Sequence, residues 1–419
     1  MMMTTTLKRV VVTGMGAITP MGHDMETIWQ AMQAGQSAIR FIEQIPEERL
    51  TCRVGGEIKD FVPEAHGIDK KEAKRMDRFA QFAVAAAHQA LAHSGLEGVV
   101  DKNRLGVVIG TGAGGLHTVE TNVENCLVKG FNKCSPFLVP MMIPDMASGR
   151  VSLALGAKGP NFAVVTACAT GTDSIGQAMR MIQLGECDAI LAGGAEAPIS
   201  PVAVAGFNSA RALTGRNDDP TTASRPFDKD RDGFVIAEGA GVLVLEDYDH
   251  AVARGATILA ELVGYGRSSD AYDIVMPHSE GEGAARAMLA ALRNANVQPT
   301  EISYINAHGT STPLGDAAET LAIKRTFGDY AKQGLLVSST KSMHGHMLGA
   351  SGAIEAIICI LALKHQVAPP TMNIFNQDEA CDLDYVANKA RPVENMRYAM
   401  SNSFGFGGHN ASIILKRPD

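Results

Sequence analysis

The chain has few aromatic residues and only seven cysteines among 419 residues, and its apolar runs are expected to fall short of the roughly 18 residues of a membrane span. The short apolar runs predict no transmembrane helix and no membrane partner. The cysteines are scattered without a Cys-x-x-Cys pair, which argues against a disulfide framework and a structural metal site and favours a reducing cytoplasm. A net charge of −8 does not suggest nucleic acid as a partner. With 46% hydrophobic residues, the chain instead has material for a large buried core.

Short apolar strands alternate with helical segments along the chain, a pattern that predicts an α/β fold with buried sheets. Residues 9–13 read as a strand that ends in a Gly-Met-Gly turn, and residues 76–92 read as a helix. Residues 161–184 and 303–327 each contain a strand, a turn of small residues and a helix, which indicates two related halves. Without a low-complexity linker between them, the halves are expected to form one body.

Cys168 lies between a predicted strand and a predicted helix, with Ala167, Ala169 and Gly171 around it. A helix N-terminus stabilises a thiolate and would lower the pKa of the thiol. Backbone amides in such a turn can also bind an oxyanion. Most free cysteines are small buried apolar residues, and Cys168 alone leaves that alternative open. The turn nevertheless makes it the candidate nucleophile.

Two histidines, His308 and His346, each follow a predicted strand and are flanked by glycine. A decarboxylating condensation needs a thiolate to hold the acyl group and two neutral N–H donors for the enolate oxygen. A dry pocket would keep water from protonating the carbanion. Cys168 with these two histidines matches that requirement.

Lys341 precedes His346, and Glu355 is an isolated carboxylate in the apolar segment that follows. A buried charge requires a partner, so the sequence predicts that Lys341 and Glu355 form an ion pair. The alternative, two unrelated surface charges, fits poorly because isoleucines surround Glu355.

These segments together resemble the β-ketoacyl-acyl-carrier-protein synthases, and among them the type II enzymes of bacterial fatty-acid synthesis. The resemblance covers nearly the whole chain, and it is carried by ordered motifs at residues 10–16, 110–116, 139–144, 166–171, 193–196, 224–238, 307–315, 339–352 and 402–410. It implies the thiolase-like fold, with duplicated βαβαβαββ halves (1–255 and 256–419) in a layered α-β-α-β-α core. It also implies a homodimer without a cofactor or metal.

By this resemblance, Cys168 accepts the acyl group and His308 and His346 promote decarboxylation of malonyl-acyl-carrier protein. Lys341 would complete the catalytic set, and two carboxylates, Asp316 and Glu355, would support it. The amides of Cys168 and Phe406 would form the oxyanion hole. Phe404 and Phe406 would form the gate that admits malonyl groups after acylation.

Basic residues cluster at Lys70, Lys71, Lys74, Arg75 and Arg78, and the last four have the i, i+3, i+4, i+7 spacing of one helix face. A basic patch on an acidic enzyme would attract an acidic acyl-carrier protein, although the pattern also suits an ordinary solvated helix face. The resemblance implies docking by Lys71, Lys74, Arg75 and Arg211.

Ala113 departs from the family, which often has a larger side chain here that closes the acyl pocket. We therefore expect a deeper pocket that accepts longer or bulkier chains. His409, which follows the glycines of the gate, is expected to be structural.

The residues argue against several other classes of protein. A degradative thiolase would carry a second cysteine in the segment 404–409, and a starter-unit synthase would have Asn where His346 stands. A non-catalytic chain-length subunit would lack Cys168. In a dinucleotide-binding protein, Gly14-Met15-Gly16 would be followed by a third glycine that is absent here. A ketosynthase of a polyketide or aryl-polyene pathway, or a type I synthase, stays open as the alternative.

Overall fold

The computed structural model describes residues 7–418 and is dominated by a sheet of ten strands. The strands in chain order are β1 Val10–Ile18, β2 Arg40–Phe41, β3 Val54–Gly55, β4 Leu105–Gly110, β5 Asn161–Phe162, β6 Ala189–Glu196, β7 Gly239–Asp247, β8 Ala260–Ser269, β9 Ile302–Asn306, β10 Leu336–Ser338, β11 Val367–Ala368, β12 Arg391–Pro392, β13 Tyr398–Gly405 and β14 His409–Lys416. Strands β2 with β3 and β11 with β12 form two small separate pairs.

The two halves of the large sheet repeat one topology. The first half has the order β5-β4-β6-β7-β1 and the second has β10-β9-β13-β14-β8. When the strands of each half are numbered along the chain, both orders become 3-2-4-5-1. The parallel and antiparallel pairings also agree. This repetition is the predicted duplication, and a short antiparallel pairing of β1 with β8 joins the halves. The boundary at residue 255 stays a prediction.

Helices fill the space around and between the halves. They are α1 Met25–Gln33, α2 Lys70–Ala73, α3 Arg78–Ser94, α4 Leu116–Lys129, α5 Leu138–Met142, α6 Met146–Leu155, α7 Thr170–Gln183, α8 Pro201–Ser209, α9 Tyr248–Ala253, α10 Glu282–Ala295, α11 Pro313–Phe327, α12 Tyr330–Gln333, α13 Lys341–His344 and α14 Ser351–His365. Both α7 and α14 pack against strands of each half, whereas α3 covers the first half and α10 the second. The result is the predicted α-β-α-β-α layering.

The predicted turn at Gly14-Met15-Gly16 is wrong, because these residues lie inside β1. A Cβ atom on Gly14 would lie 2.2 Å from the carbonyl oxygen of Ala90, and one on Gly16 would lie 2.0 Å from that of Ala86. Both carbonyls belong to α3. The glycines therefore permit close packing of a helix on a strand, which local sequence alone could not distinguish from a turn.

One apolar segment, Leu348–His365, is long enough for a membrane span by length and composition, contrary to the expectation from the sequence. However, 89% of this segment is buried inside the protein, where α14 forms part of the central layer. Its apolar character is therefore explained by its contacts with both halves of the sheet.

Candidate active site

Cys168 lies in a single helical turn, Ala167–Ala169, directly before α7. The predicted strand before it is shorter than expected, since β5 ends at Phe162. Ala167 has a φ of 50°, a left-handed conformation that strains a residue with a side chain. The strain is confined to the residue before the nucleophile, and it turns the Cys168 side chain toward a cavity.

Burial raises the pKa of the Cys168 thiol to about 12, so the predicted lowering is wrong. The charge of Lys341 and hydrogen bonds from the backbone amides of Phe406 and Cys168 act in the opposite direction but do not compensate. The resting side chain is a neutral thiol, which must lose its proton as it attacks. These are the two amides predicted for the oxyanion hole, a role that stays a prediction.

His308 and His346 line the same cavity as Cys168. Their ring centroids are 5.4 Å apart in an edge-to-face arrangement. Burial, with a further contribution from Lys341, lowers the pKa of both rings well below the usual value, so both are neutral. The Nδ1 atom of His346 lies 2.9 Å from Ser351 Oγ, which leaves its Nε2 for a ligand. Two neutral imidazoles are thus available beside one sulfur.

Lys341 is buried and forms the predicted ion pair with Glu355. Its Nζ atom also donates to the carbonyl oxygen of His308 at 2.7 Å. The lysine therefore links the two histidine-bearing segments and keeps a positive charge close to both rings. That charge disfavours protonation of the rings.

Of the carboxylates near His308, one was predicted and one was missed. Asp316 does not line the cavity but accepts the backbone N–H of Ser311 at 3.1 Å and lies 3.5 Å from Arg231. Glu319, for which no role was predicted, accepts the backbone N–H groups of His308 at 2.9 Å and Gly309 at 2.8 Å. Its position one helical turn after Asp316, in an apolar context, was the available signal.

The cavity has a volume of about 560 Å³ and is mostly apolar. Phe404, at the end of β13, and Phe406, in the turn that follows, form part of its wall, and their role as a gate stays a prediction. The backbone here is packed tightly on the nucleophile, because a Cβ on Gly405 would lie 3.0 Å from the backbone nitrogen of Cys168.

Ala113 does not line this cavity and is exposed on the single chain, so the structure of one chain leaves its predicted pocket role open. Its backbone N–H donates to Glu196 at 3.0 Å. Anything that closes a pocket over the Ala113 methyl group must therefore come from outside the described chain.

The predicted basic face on one helix is wrong, because α2 ends at Ala73 and α3 begins at Arg78. Arg78 pairs with buried Glu238 at 2.9 Å and is therefore structural. Lys71 and Lys74 are exposed, while Arg75 pairs with Glu72 at 3.0 Å and lies over the ring of Phe137. Arg211 is exposed and lines the cavity.

No group of three or more His, Cys, Asp or Glu side chains that could hold a metal occurs among residues 7–418. Three buried oxygens near the site nevertheless have no hydrogen-bond partner within this part of the chain: Asn306 Oδ1, Glu355 Oε2 and Ser401 Oγ. Asn306 and Ser401 are neighbours on paired strands. Buried oxygens of this kind are commonly satisfied by ordered water.

Comparison with known proteins identifies the family. A family model described as beta-ketoacyl synthase, N-terminal domain, matches residues 7–251, and one for the C-terminal domain matches residues 259–375. The chain belongs to the β-ketoacyl synthase family. It is therefore a condensing enzyme of the acyltransferase type.

The chain is 53% identical to a 3-oxoacyl-[acyl-carrier-protein] synthase 2 of Staphylococcus aureus, with 98% of each chain covered. It is 52% identical to the enzyme of the same name from Vibrio cholerae, with 98% of this chain and 99% of the other covered. Among solved structures, a beta-ketoacyl synthase from Burkholderia phymatum has a TM-score of 0.90 at 38% identity, covering 99% of this chain and 100% of the other. A type II polyketide ketosynthase solved with its acyl-carrier protein also has a TM-score of 0.90, at 33% identity, covering 98% and 100% of the two chains.

Proposed function

We propose that this β-ketoacyl synthase extends acyl chains held on an acyl-carrier protein, by decarboxylative condensation with malonyl-acyl-carrier protein. The observation that carries the proposal is the convergence of the Cys168 sulfur and two neutral imidazoles on one apolar cavity. The products are a 3-oxoacyl-acyl-carrier protein, CO2 and a free carrier protein.

In the first half-reaction, the Cys168 sulfur attacks the thioester carbonyl of the acyl donor. The amides of Cys168 and Phe406, which already point at the sulfur, stabilise the developing oxyanion. The carbonyl re-forms as the carrier-protein thiolate leaves and takes up the proton that the sulfur has lost. The acyl group is then held as a thioester on Cys168.

In the second half-reaction, the malonyl thioester loses CO2 and the bond electrons pass into its carbonyl, which becomes an enolate. N–H donors of His308 and His346 stabilise the enolate oxygen, and the apolar wall keeps water away. The enolate carbon then attacks the acyl thioester, and Cys168 leaves as the new carbon–carbon bond forms. Lys341 contributes by holding the His308 carbonyl and by keeping both rings neutral.

The test is to incubate the protein with acyl-carrier proteins of varied chain length and malonyl-carrier protein, and to determine the products by mass. We expect products two carbons longer for the wild type and none for C168A. Normal condensation by C168A would contradict the mechanism. A polyketide ketosynthase is the second candidate, but identities of 36% or less to such structures against 52–53% to the synthase 2 relatives favour the first.

For carrier-protein docking, we propose Lys71, Lys74, Arg75 and Arg211. Arg211 borders the cavity and the two lysines are exposed, while an acidic partner supplies the complementary charge. K71E/K74E should raise the KM for acyl-carrier protein about tenfold at low salt, with a smaller effect at high salt. Exposed Lys389 provides the matched control, since K389E should leave KM unchanged.

We propose a homodimer in the cytoplasm. Strand β5 lies at the sheet edge with both residues exposed, and an unpaired edge can pair with its own copy about a two-fold axis. The neighbouring α4–α6 region and β5 expose a set of apolar side chains: Val123, Leu127, Val128, Phe131, Val139, Leu153, Phe162 and Val165. A second copy on this face would also cover Ala113. Light scattering of the wild type should give twice the mass of one chain, and the F162D substitution should lower the measured mass.

A further inference from the structure

Glu196, the last residue of β6, is buried and accepts four hydrogen bonds through its carboxylate. The donors are Thr111 Oγ1 at 2.6 Å and the backbone nitrogens of Gly112 at 2.7 Å, Ala113 at 3.0 Å and Gly349 at 2.9 Å. Among protein side chains, only an ionised carboxylate offers four acceptor positions in this arrangement. Burial raises the pKa of Glu196, and these four donors act in the opposite direction by stabilising the ionised carboxylate.

The four donors come from two turns that are far apart in sequence. Residues 111–113 follow β4, whereas Gly349 lies in the helical turn Leu348–Ala350 that precedes α14. This second turn connects His346 with Ser351, whose hydroxyl lies 2.9 Å from the histidine ring. Glu196 thus connects the glycine turn of the first half with the segment that carries His346.

The packing around this carboxylate leaves no room for adjustment. A Cβ on Gly349 would lie 2.6 Å from both Glu196 Oε2 and the backbone nitrogen of Gly112. A Cβ on Gly112 would lie 2.9 Å from Glu196 Oε2 and 3.6 Å from the carbonyl oxygen of Ala167. The two turns therefore meet directly beside the strained residue that precedes Cys168.

We propose that Glu196 is a positioning residue for the condensation, whose carboxylate sets the place of the His346 segment relative to the Cys168 turn. The inference rests on the roles proposed above for Cys168 and His346. Burial is the main cause of the raised pKa of the Cys168 thiol; the positive charge of Lys341 lowers this pKa, and the negative charge of Glu196 raises it further.

The test is E196Q, which keeps the shape but turns one acceptor oxygen into an NH2 group that faces N–H donors. In a C168Q background, the rate constant for malonyl decarboxylation should fall about tenfold to a hundredfold through misplacement of His346, with KM changed less than about twofold. In the single variant E196Q, the alkylation of Cys168 should rise at a lower pH than in the wild type, because a negative charge has been removed.

Glu246 on β7 provides the matched control. It is a buried carboxylate that accepts Thr13 Oγ1 at 2.7 Å and pairs with His250 and Arg254, but it does not line the cavity. E246Q should lower stability without changing the decarboxylation rate constant or the alkylation profile. Equal effects of E196Q and E246Q on these two measurements would overturn the proposal.

If E196Q does not fold, T111V removes one of the four donors and should lower the decarboxylation rate constant about tenfold, the size expected when one hydrogen bond to a charged group is lost. An unchanged rate constant in T111V would then overturn the role of Glu196. A wild type that does not condense, or an active C168A, would instead count against the proposed function.

Discussion

The two halves of the molecule build the same turn and use it differently. Ala167–Ala169 precedes α7 in the first half, and Leu348–Ala350 precedes α14 in the second. The first residue of each turn has a positive φ, 50° for Ala167 and 43° for Leu348. Cys168 is therefore the counterpart of Gly349.

Each of these middle residues is contacted from the end of a strand in the opposite half, β13 for Cys168 and β6 for Gly349. Cys168 receives the backbone N–H of Phe406, just beyond β13, on its sulfur, whereas Gly349 donates its backbone N–H to Glu196 at the end of β6. The same strained backbone thus presents a nucleophile in one half and an anchor in the other. The same backbone conformation serves both uses, and the side chain of the middle residue decides which one.

Removal of the nucleophile should have the largest effect. C168A should lower condensation by at least about 10³-fold, because no other group can hold the acyl chain. C168Q should mimic the acylated state and release CO2 from malonyl-carrier protein without condensing. Product mass and CO2 release measure the two activities, and condensation by either variant would contradict the assignment.

Lys341 lies beside the second turn, so its substitution tests how the second half supports the reaction. K341M should destabilise the protein by about 3–5 kcal/mol, because it leaves Glu355 buried without its partner. Decarboxylation should also fall, as the His308 carbonyl loses its donor. Urea unfolding measures the first effect and CO2 release the second.

The double variant K341M/E355L separates these two effects. It replaces the ion pair by apolar side chains and should recover most of the stability. Activity should stay low, because the donor to His308 is still missing. A double variant with wild-type activity would show that the ion pair serves stability alone.

G349A tests whether the second turn tolerates the side chain that the first turn carries. Its Cβ would lie 2.6 Å from both Glu196 Oε2 and the backbone nitrogen of Gly112, so we expect a loss of about 1–3 kcal/mol in the free energy of unfolding. C168A should cost much less, since its turn already accommodates a Cβ. Equal losses in the free energy of unfolding for G349A and C168A, measured in urea, would show that packing does not distinguish the two turns.

Much of the site was predictable because each group follows a strand and is marked by its neighbours. Cys168, His308 and His346 lie beside small residues, and the apolar context of Glu355 predicted its partner Lys341. The pKa of Cys168 was not predictable, because a helix end is local while burial depends on the whole fold. Glu319 was missed because its acceptor role depends on where the backbone of His308 lies.

The fold, like the site, was predictable where it depends on neighbouring residues and was not where it depends on contacts between distant segments. Strands and helices were visible from periodicity, and the repetition of strand, turn and helix indicated the duplication. The role of the glycines of β1 was not visible, because it depends on packing against α3. The break between α2 and α3 had a local signal that was missed: Asp77 caps α3, and its side chain accepts the backbone N–H of Phe79. The basic cluster was split by Arg78, whose partner Glu238 lies 160 residues away.

Substitution of Ala113 should have the smallest effect, a change in the preferred acyl chain length rather than in the overall rate. It follows β4 in the first half, in the turn that Glu196 holds, and it is exposed on one chain. If a second copy closes a pocket over it, A113I should shift the preferred acyl chain shorter by a few carbons, because each lost methylene contact is worth about 0.8 kcal/mol. Rates across acyl lengths measure the shift, with A113G as the control that should keep long chains. An unchanged preference in A113I, with the dimer intact by light scattering, would remove Ala113 from the acyl pocket.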